Sequence, residues 1–267
     1  MVTLADIYVY PVKSCRGIAV DDWLLEPAGL EHDREWMVVT PEGRFLTQRE
    51  LPQLARVVPT LERDHLALTA PGMPQLIVPY AATGAARDVV VWRSALKAQD
   101  AGEQAAQWFS DFLGRPLRLV QFDRREQRLC SPEFSGDSGA VTRFSDGYSL
   151  LAISRASLDD LNSRLPVPLP VDRFRPNLVL EGLPPYGEDD LRDFQVGGAH
   201  LRCVAPCTRC VITTTHQMTG ELDGVEPLRT LKSYRWDRKL HGVIFGQNVI
   251  VIAAHRRLAR GMNVEVG

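Results

Sequence analysis

The stretch FQVGGAHLRCVAPCTRCVITTTH, residues 194–216, carries the clearest information about how this chain folds. Two largely apolar runs, 194–206 and 211–216, flank the four residues CTRC at 207–210, and the second run is rich in β-branched residues. Apolar runs of this kind, punctuated by glycine and proline, are typical of strands. The stretch therefore predicts two strands joined by a tight turn, and such turns can aim side chains into a cleft.

The same pattern recurs on both sides of this stretch. Residues 1–95 contain several short apolar runs split by turn formers, and PEG at 41–43 predicts a hairpin turn between two of them. Further apolar runs predict strands at 117–122, 175–182 and 248–254. The chain is therefore predicted to be rich in strands along its whole length.

Helical periodicity is much rarer. Only residues 101–114 and 154–165 space their apolar side chains as an amphipathic helix does. Residues 124–142 are polar and irregular, and we predict a mobile loop there. The predicted fold class is therefore α+β, mostly β with few helices.

The length of 267 residues suits one large domain or two smaller ones. The strand-rich texture is interrupted by the first helix and resumes at about residue 117. We therefore predict an N-terminal β-rich unit over 1–120 and a C-terminal β-barrel-like unit over 121–267. Cations from both units are expected to meet at their interface.

Charge and composition exclude several classes of protein. A net charge of −2 provides no overall field that would recruit nucleic acid or an anionic membrane, so we predict neither as a partner. The N-terminus lacks a basic region followed by an apolar run, and no stretch approaches 18 apolar residues, so neither a signal peptide nor a membrane span is predicted. Five cysteines are an odd number and do not suggest a secreted disulfide framework. These features predict a cytoplasmic protein.

The cysteines of the 194–216 stretch leave four interpretations open. Cys210 could be a single thiolate bound to a metal cofactor, or His200, Cys203, Cys207, Cys210 and His216 could share a zinc ion. The pair at 207 and 210 could be a redox C-x-x-C, or all three cysteines could be small hydrophobic residues of a strand. Alternate strand residues face opposite ways, which weakens the zinc interpretation, and the absence of a βαβ pattern weakens the redox one.

Several cations and neutral donors occur at turns or strand ends, where they could converge on an anion. Arginine forks suit phosphate and planar polar groups, and lysine adds a point charge. Each of them alone could equally be a surface ion pair. The residues are Lys13, Ser14, Arg34, Arg175, Asn177, Thr208, Arg209, Lys232 and Arg235.

Seven segments, in order along the chain, resemble the MOSC family. Within that family the chain resembles the mitochondrial amidoxime-reducing component and the bacterial proteins that detoxify N-hydroxylated bases. The segments are YPVKSCRG (10–17), GLEHDREW (29–36), FLTQRELPQL (45–54), DRFRPNLVL (172–180), VAPCTRCVITTTHQMTGE (204–221), PLRTLKSYR (227–235) and FGQN (245–248).

The resemblance implies a MOSC-associated N-terminal β-barrel domain followed by the MOSC domain, and a molybdenum–molybdopterin cofactor. By resemblance, Cys210 is the molybdenum ligand and the catalytic residue, and Thr208 is the small hydroxyl residue beside it. Lys13, Ser14 and Arg34 match contacts to the pterin phosphate, and Arg175 matches another pterin contact. The implied activity is two-electron reduction of small N-oxygenated substrates, in which the metal accepts the oxygen atom.

The chain also departs from the family pattern. Gly147 and Tyr148 stand where a close relative has Thr-Ser, and His216 and Gln217 stand where relatives often have an acidic turn. The chain contains no cysteine run for an iron–sulfur cluster, so electrons are expected from a separate ferredoxin- or flavoprotein-type partner. The alternative function is a non-catalytic carrier of the cofactor or of sulfur. A pyridoxal phosphate site at Lys13 or Lys232 lacks a supporting glycine-rich phosphate loop.

Overall fold

The computed structural model describes residues 1–81, 84–254 and 256–267 of the chain. The strands up to residue 129 are β1 (Val2–Val9), β2 (Ile18–Val20), β3 (Asp22–Glu26), β4 (Gly29–Leu30), β5 (Trp36–Val39), β6 (Val58–Leu61), β7 (His65–Thr69), β8 (Leu76–Pro79), β9 (Ala86–Val91), β10 (Ser94–Asp100), β11 (Arg118–Phe122) and β12 (Arg128–Leu129).

The later strands are β13 (Val141–Thr142), β14 (Leu150–Ser154), β15 (Leu178–Glu181), β16 (Asp193–Val196), β17 (Ala199–Thr208), β18 (Thr215–His216), β19 (Glu221–Leu222), β20 (Trp236–Asp237), β21 (Gly242–Ala253), β22 (Arg256–Ala259) and β23 (Asn263–Val266). The α-helices of the described residues are α1 (Glu103–Leu113), α2 (Pro132–Ser135), α3 (Arg155–Ser163) and α4 (Leu228–Lys232). The mostly β prediction with few helices is confirmed.

Seven strands close into a barrel. Their order is β14-β15-β1-β23-β16-β17-β21, and β21 pairs with β14 to complete the ring. Alternate residues of these strands point inward and form one apolar core that includes Leu4, Ile7, Phe194, Leu201 and Val249. The first strand of the chain therefore belongs to a barrel whose other strands all come after residue 149.

The middle of the N-terminal half forms a second unit with its own core. One sheet has the order β5-β11-β10-β9 and another has the order β6-β7-β8. Helix α1 contacts β11 and β8, and its aromatic face supplies Trp108 and Phe109 to a core shared with Trp36. The predicted helix at 101–114 is confirmed, and Gly114 ends it in the left-handed conformation that favours glycine.

The segment after β1 joins the two units. Its backbone runs from the barrel to the second unit, where the Lys13 N–H donates to the Trp36 carbonyl and the Arg16 N–H donates to the Val57 carbonyl. Leaving the barrel in this way places residues 13–16 between the two units. A pocket that Lys13 and Ser14 help to line lies at this junction.

Part of the 194–216 stretch differs from the prediction. Gly197 and Gly198 both have positive φ, so the first predicted strand is a hairpin of β16 and β17. Val211–Thr214 is a 3-10 turn instead of a strand, so that part of the prediction is wrong. The Thr213 and Thr214 hydroxyls donate to carbonyls three residues earlier, at 2.9 and 2.8 Å, and such local bonds compete with a sheet ladder.

Residues 124–142, predicted to be a loop, contain a short ladder of β12 with β13 and the single-turn helix α2. None of the helices in the described part of the chain has the length and apolar character that crossing a bilayer requires.

Candidate functional site

An open pocket lies where the post-β1 segment meets the end of β17. One wall comes from residues before 50 and includes Lys13, Ser14 and Arg34, and the other comes from residues after 144 and includes Arg175 and Cys210. Among the residues that the structure describes, five cationic side chains line the pocket, namely Lys13, Arg34, Arg49, Arg175 and Arg209, against the single carboxylate of Asp146. The lining therefore suits an anionic ligand.

Two arginines share one aromatic ring at the inner end of the pocket. The guanidinium carbons of Arg34 and Arg175 lie 4.2 and 4.4 Å from the ring centroid of the buried Tyr10. Arg34 forms an ion pair with Asp33 and donates to the Asn177 amide oxygen at 3.0 Å, while Arg175 donates to the Cys15 carbonyl at 2.7 Å. Burial lowers the pKa of Arg175, which means that its surroundings disfavour the charge.

Lys13 and Ser14 lie beside these arginines. Lys13 is 5% exposed, donates to the Phe144 carbonyl at 2.7 Å and pairs with Asp146. Burial lowers the pKa of Lys13, and the Asp146 carboxylate opposes that shift. Ser14, Arg34 and Arg175 all have positive φ, an uncommon conformation for residues other than glycine. Such strained residues cluster at functional sites, where the surrounding structure holds them in place.

Cys210 follows the end of β17 and is partly exposed. Its Sγ accepts a hydrogen bond of 3.1 Å from Nη2 of Arg49, and both residues line the pocket. Arg209 instead donates to Cys207 Sγ at 2.9 Å and to the Phe174 carbonyl at 2.7 Å. Residues two apart in an extended segment share a face, so Arg209 lies with Cys207 and not with its covalent neighbour Cys210.

Two family models match the chain over residues that contain this pocket. They are the MOSC N-terminal beta barrel domain, over residues 1–116, and the MOSC domain, over residues 140–267. The chain belongs to the MOSC-domain family. The resemblance noted in the sequence is confirmed, whereas the exact domain boundary near residue 120 stays a prediction.

Curated relatives place this MOSC chain near two kinds of protein. It is 37% identical to mitochondrial amidoxime reducing component 2 of Bos taurus, over 87% of this chain and 72% of the relative. It is 38% identical to mitochondrial amidoxime-reducing component 1 of Mus musculus, over 92% of this chain and 76% of the relative. It is also 36% identical to molybdenum cofactor sulfurase of Oryza sativa subsp. japonica, over 91% of this chain and 32% of the relative.

Two predicted cations of this MOSC protein lie away from the pocket lining. Lys232, at the end of α4, has its Nζ 5.6 Å from the Trp236 ring. Arg235 pairs with Asp189 at 2.6 Å and lies over the Tyr186 ring. Both side chains therefore have partners outside the pocket, and the prediction that they help to form the same anion site is not supported by their positions.

The five predicted zinc ligands do not come together. Cys203 is buried in the barrel core, and His200 pairs with Asp193 on the barrel surface. Among the described residues, no three His, Cys, Asp or Glu side chains are placed to share a metal ion. His216 accepts the Thr219 N–H at 3.2 Å and does not line the pocket. Alternation along β17 places His200 and Cys203 on opposite faces, and Cys210 and His216 lie beyond the end of that strand.

The structure also shows where two residues that depart from the family pattern lie, and it adds residues that the sequence did not single out. Gly147, Tyr148, Asn177 and Thr208 all line the pocket. Sequence reasoning assigned no role to the lining residues Thr47, Arg49 and Asp146, or to Trp92, whose indole N–H donates to Asp146 at 3.1 Å. Thr47 and Arg49 belong to the segment FLTQRELPQL. The resemblance to the MOSC family therefore included these two residues but assigned no function to them.

Proposed function

We propose that this MOSC protein binds a molybdenum–molybdopterin cofactor through Cys210 and reduces small N-hydroxylated and other N-oxygenated compounds. Its electrons would come from a separate ferredoxin- or flavoprotein-type partner. One observation carries the proposal: the Cys210 sulfur, the buried Lys13 and the partly buried Arg34 and Arg175 line a single pocket built from both parts of the chain. The names of the amidoxime-reducing relatives support the same reaction class.

The donor set suits an anionic group at the inner end. Arg175 makes no ion pair within 4 Å among the described residues, yet it shares the Tyr10 ring with a second arginine. Burying a cation without a counter-charge is costly, so an anionic ligand would remove a penalty already present in the fold. Nε of Arg209 is also buried without a hydrogen-bond partner in the described structure. These features fit a phosphate-bearing pterin with several acceptor atoms.

The roles follow from these positions. Lys13, Ser14, Arg34 and Arg175 would hold the phosphate end, and Asn177 would orient Arg34. Cys210 would supply the one protein thiolate, while Thr208 and Arg209 would line the approach to it. When bound, the cofactor supplies two-electron chemistry and accepts an oxygen atom. Lys232 and Arg235 have no part in this assignment because their side chains are engaged elsewhere.

Two cysteine variants test the proposal. Protein from a host that synthesises the cofactor is assayed for bound molybdenum and for reduction of an N-hydroxylated base with a reduced dye. We expect Cys210→Ser to keep the circular dichroism spectrum of the wild type, to lose most of its molybdenum and to lose reductase activity. The matched control is Cys207→Ala, which removes the partly buried neighbouring thiol and should retain molybdenum. Unchanged turnover in Cys210→Ser would refute the assignment.

A non-catalytic carrier of the cofactor or of sulfur is the second candidate. It is favoured by the 36% identity to molybdenum cofactor sulfurase, of which this chain matches 32%. A carrier and a reductase would both bind through Cys210, so metal content does not separate them. Sustained reduction over many turnovers with an artificial donor supports the reductase, whereas stoichiometric release of cofactor without turnover supports the carrier. A cytoplasmic location remains a prediction, as does the absence of nucleic-acid and membrane partners.

A further inference from the structure

Arg49 differs from the other cations of the pocket. Its side chain is exposed, its Nη2 lies 3.1 Å from Cys210 Sγ, and its guanidinium carbon lies 5.0 Å from the Trp92 ring centroid. Among the described residues no carboxylate lies within 4 Å of Arg49, whereas Lys13 and Arg34 each have one. The pocket therefore presents a cation without an ion-pair partner beside the sulfur and at the solvent side.

Trp92 is an exposed aromatic residue that packs against the Arg49 guanidinium. The side chain is 44% exposed, and its backbone φ of 55° is a genuine outlier for a bulky residue. Three contacts fix it: its N–H donates to Asp146, its ring lies 5.0 Å from Phe45, and Arg49 covers it. Trp92 opens the two-residue turn between β9 and β10, which accounts for its positive φ, and these contacts hold its exposed ring against Arg49.

The positions of the cations divide the pocket into two ends. The inner end, defined as Lys13, Ser14, Arg34, Arg175 and Asn177, is largely buried and suits the phosphate of the cofactor. The mouth, defined as Arg49, Trp92 and Cys210, opens to solvent beside the atom that would bind the metal. A substrate that approached the metal from the solvent side would pass the exposed Arg49, which lies beside Cys210.

We infer that Arg49, held against Trp92, is a substrate-binding residue, and that the site prefers N-oxygenated substrates whose remaining part is neutral or anionic over those that carry a positive charge. The inference rests on the proposed reductase function. The nearby Asp146 carboxylate also interacts with the Arg49 charge, but it offsets that charge only in part, because it pairs with Lys13 and accepts the Trp92 N–H. Exposed charges interact weakly, so the effect is a bias of about fivefold and it falls as salt is added.

A matched pair of substrates isolates this charge effect. Benzamidoxime with a para-carboxylate and benzamidoxime with a para-trimethylammonium group carry the same reacting group and differ in charge. For wild-type protein with molybdenum bound, we expect the carboxylate compound to have the lower KM, by about fivefold at low salt, with similar kcat. Arg49→Gln should bring the ratio of the two KM values close to one, and Arg49→Glu should invert it. Trp92→Leu should reduce the ratio without inverting it.

The control is Arg44→Gln. Arg44 is an exposed arginine that pairs with Glu50 at 2.8 Å, so this variant removes the same charge nearby without touching the pocket. It should leave the KM ratio at the wild-type value. An unchanged ratio in Arg49→Gln and Arg49→Glu proteins of wild-type molybdenum content would overturn the inference.

Binding without turnover separates this inference from the proposed function. In the absence of an electron donor neither compound is reduced, so titration calorimetry on the same proteins reports affinity alone. Preferential binding of the carboxylate compound that is lost in Arg49→Gln supports the role of Arg49, even if the wild type shows no reductase activity and the proposed function fails. Equal binding of both compounds by the wild type overturns the role of Arg49 and leaves the reductase proposal standing.

Discussion

The inner end and the mouth of the pocket both contain arginine but hold its side chain in different ways. At the inner end Asn177 is 1% exposed and Lys13 is 5% exposed. The Asn177 amide bonds to the backbone of Tyr8 and Leu151, and Lys13 donates to the Phe144 carbonyl. At the mouth, Arg49 is held by an aromatic face and by one sulfur, both of them weak partners. The inner end is therefore held by buried hydrogen bonds without a ligand, whereas Arg49 at the mouth is held only by weaker, exposed contacts.

This difference also determines where substitutions act. Buried hydrogen bonds at the inner end contribute to folding as well as to ligand binding, because an unpaired buried polar group is costly. The exposed contacts of Arg49 and Trp92 contribute little to stability, so substitutions of these two residues should leave the free energy of unfolding nearly unchanged. The following predictions sharpen or break this contrast and run from the largest expected effect to the smallest.

Asn177→Ala should have the largest effect, because it should damage the fold and the site together. The Asn177 amide oxygen accepts the Leu151 N–H at 3.1 Å and an Arg34 N–H at 3.0 Å, and its amide nitrogen donates to the Tyr8 carbonyl at 3.1 Å. Its loss leaves buried groups unpaired and should lower the free energy of unfolding by about 2–4 kcal/mol. Chemical denaturation measures that change, and molybdenum content should fall as well.

Asn162→Ala is the matched control for that substitution. Asn162 bridges the backbone N–H and carbonyl of Leu169 at 2.9 and 3.0 Å, in a partly exposed place outside the pocket lining. It should cost roughly 1 kcal/mol and leave molybdenum content unchanged. If Asn177→Ala cost no more than Asn162→Ala, the inner end would not be the rigid part of the site.

Arg175→Met should separate binding from stability. Arg175 has no ion-pair partner within 4 Å among the described residues and lies close to Arg34, so its charge is unfavourable until an anion binds. We expect the cofactor-free variant to unfold within about 1 kcal/mol of the wild type, or to be more stable. The same variant expressed with cofactor should lose most of its molybdenum.

Arg173→Met, two residues away, should have the opposite effects on stability and on molybdenum content. Arg173 is 2% exposed, pairs with Asp223 at 2.6 Å and lies outside the pocket lining. It should keep molybdenum and lose roughly 1–3 kcal/mol of stability, because it breaks a partly buried ion pair. Loss of molybdenum in both variants, or in neither, would break the distinction between the two arginines.

The smallest expected effect is a pH dependence of the alkylation rate of Cys207. Burial raises the pKa of the Cys207 thiol, although the Arg209 guanidinium opposes that shift. The thiolate is the reactive form, so in Cys210→Ser protein alkylation of Cys207 should be slow at neutral pH. Its rate should keep rising with pH beyond the ordinary pKa of a cysteine. Arg209→Gln removes the opposing cation and should move the midpoint higher still.

Iodoacetamide labelling followed by mass spectrometry of the 207 peptide measures these rates. The buried cysteines Cys15, Cys130 and Cys203 serve as internal controls for unfolding. A midpoint at or below the ordinary pKa of a cysteine would show that burial does not raise the pKa of Cys207.

Most strands could be predicted from local patterns, because alternation and turn formers act within a few residues. The turn at 41–43 was confirmed, with the Thr40 N–H donating to the Arg44 carbonyl at 2.8 Å. The 3-10 turn at Val211–Thr214 was not predicted, since β-branched threonines favour strands in general and only their hydroxyl bonds favour a turn here. Local propensity therefore failed where side chains bond to their own backbone.

The residues of the candidate site were likewise only partly predictable from the sequence. The resemblance pointed to Lys13, Arg34, Arg175 and Cys210, and the fold brings these four into one pocket. It did not indicate that Arg49 would reach the Cys210 sulfur, because 161 residues separate the two in the chain. It also did not indicate that Arg235 would be held by Asp189 instead of joining the pocket.

By itself, the sequence determined that this chain is mostly β, that it belongs to the MOSC family and that one cysteine stands among cations at strand ends. These properties depend on residue types and short spacings. Only the tertiary structure decided that β1 enters the C-terminal barrel, that Arg34 and Arg175 share the Tyr10 ring and that Arg49 lies over Trp92. Such contacts depend on how distant segments pack, since the free energy that selects them comes from burial summed over the whole molecule.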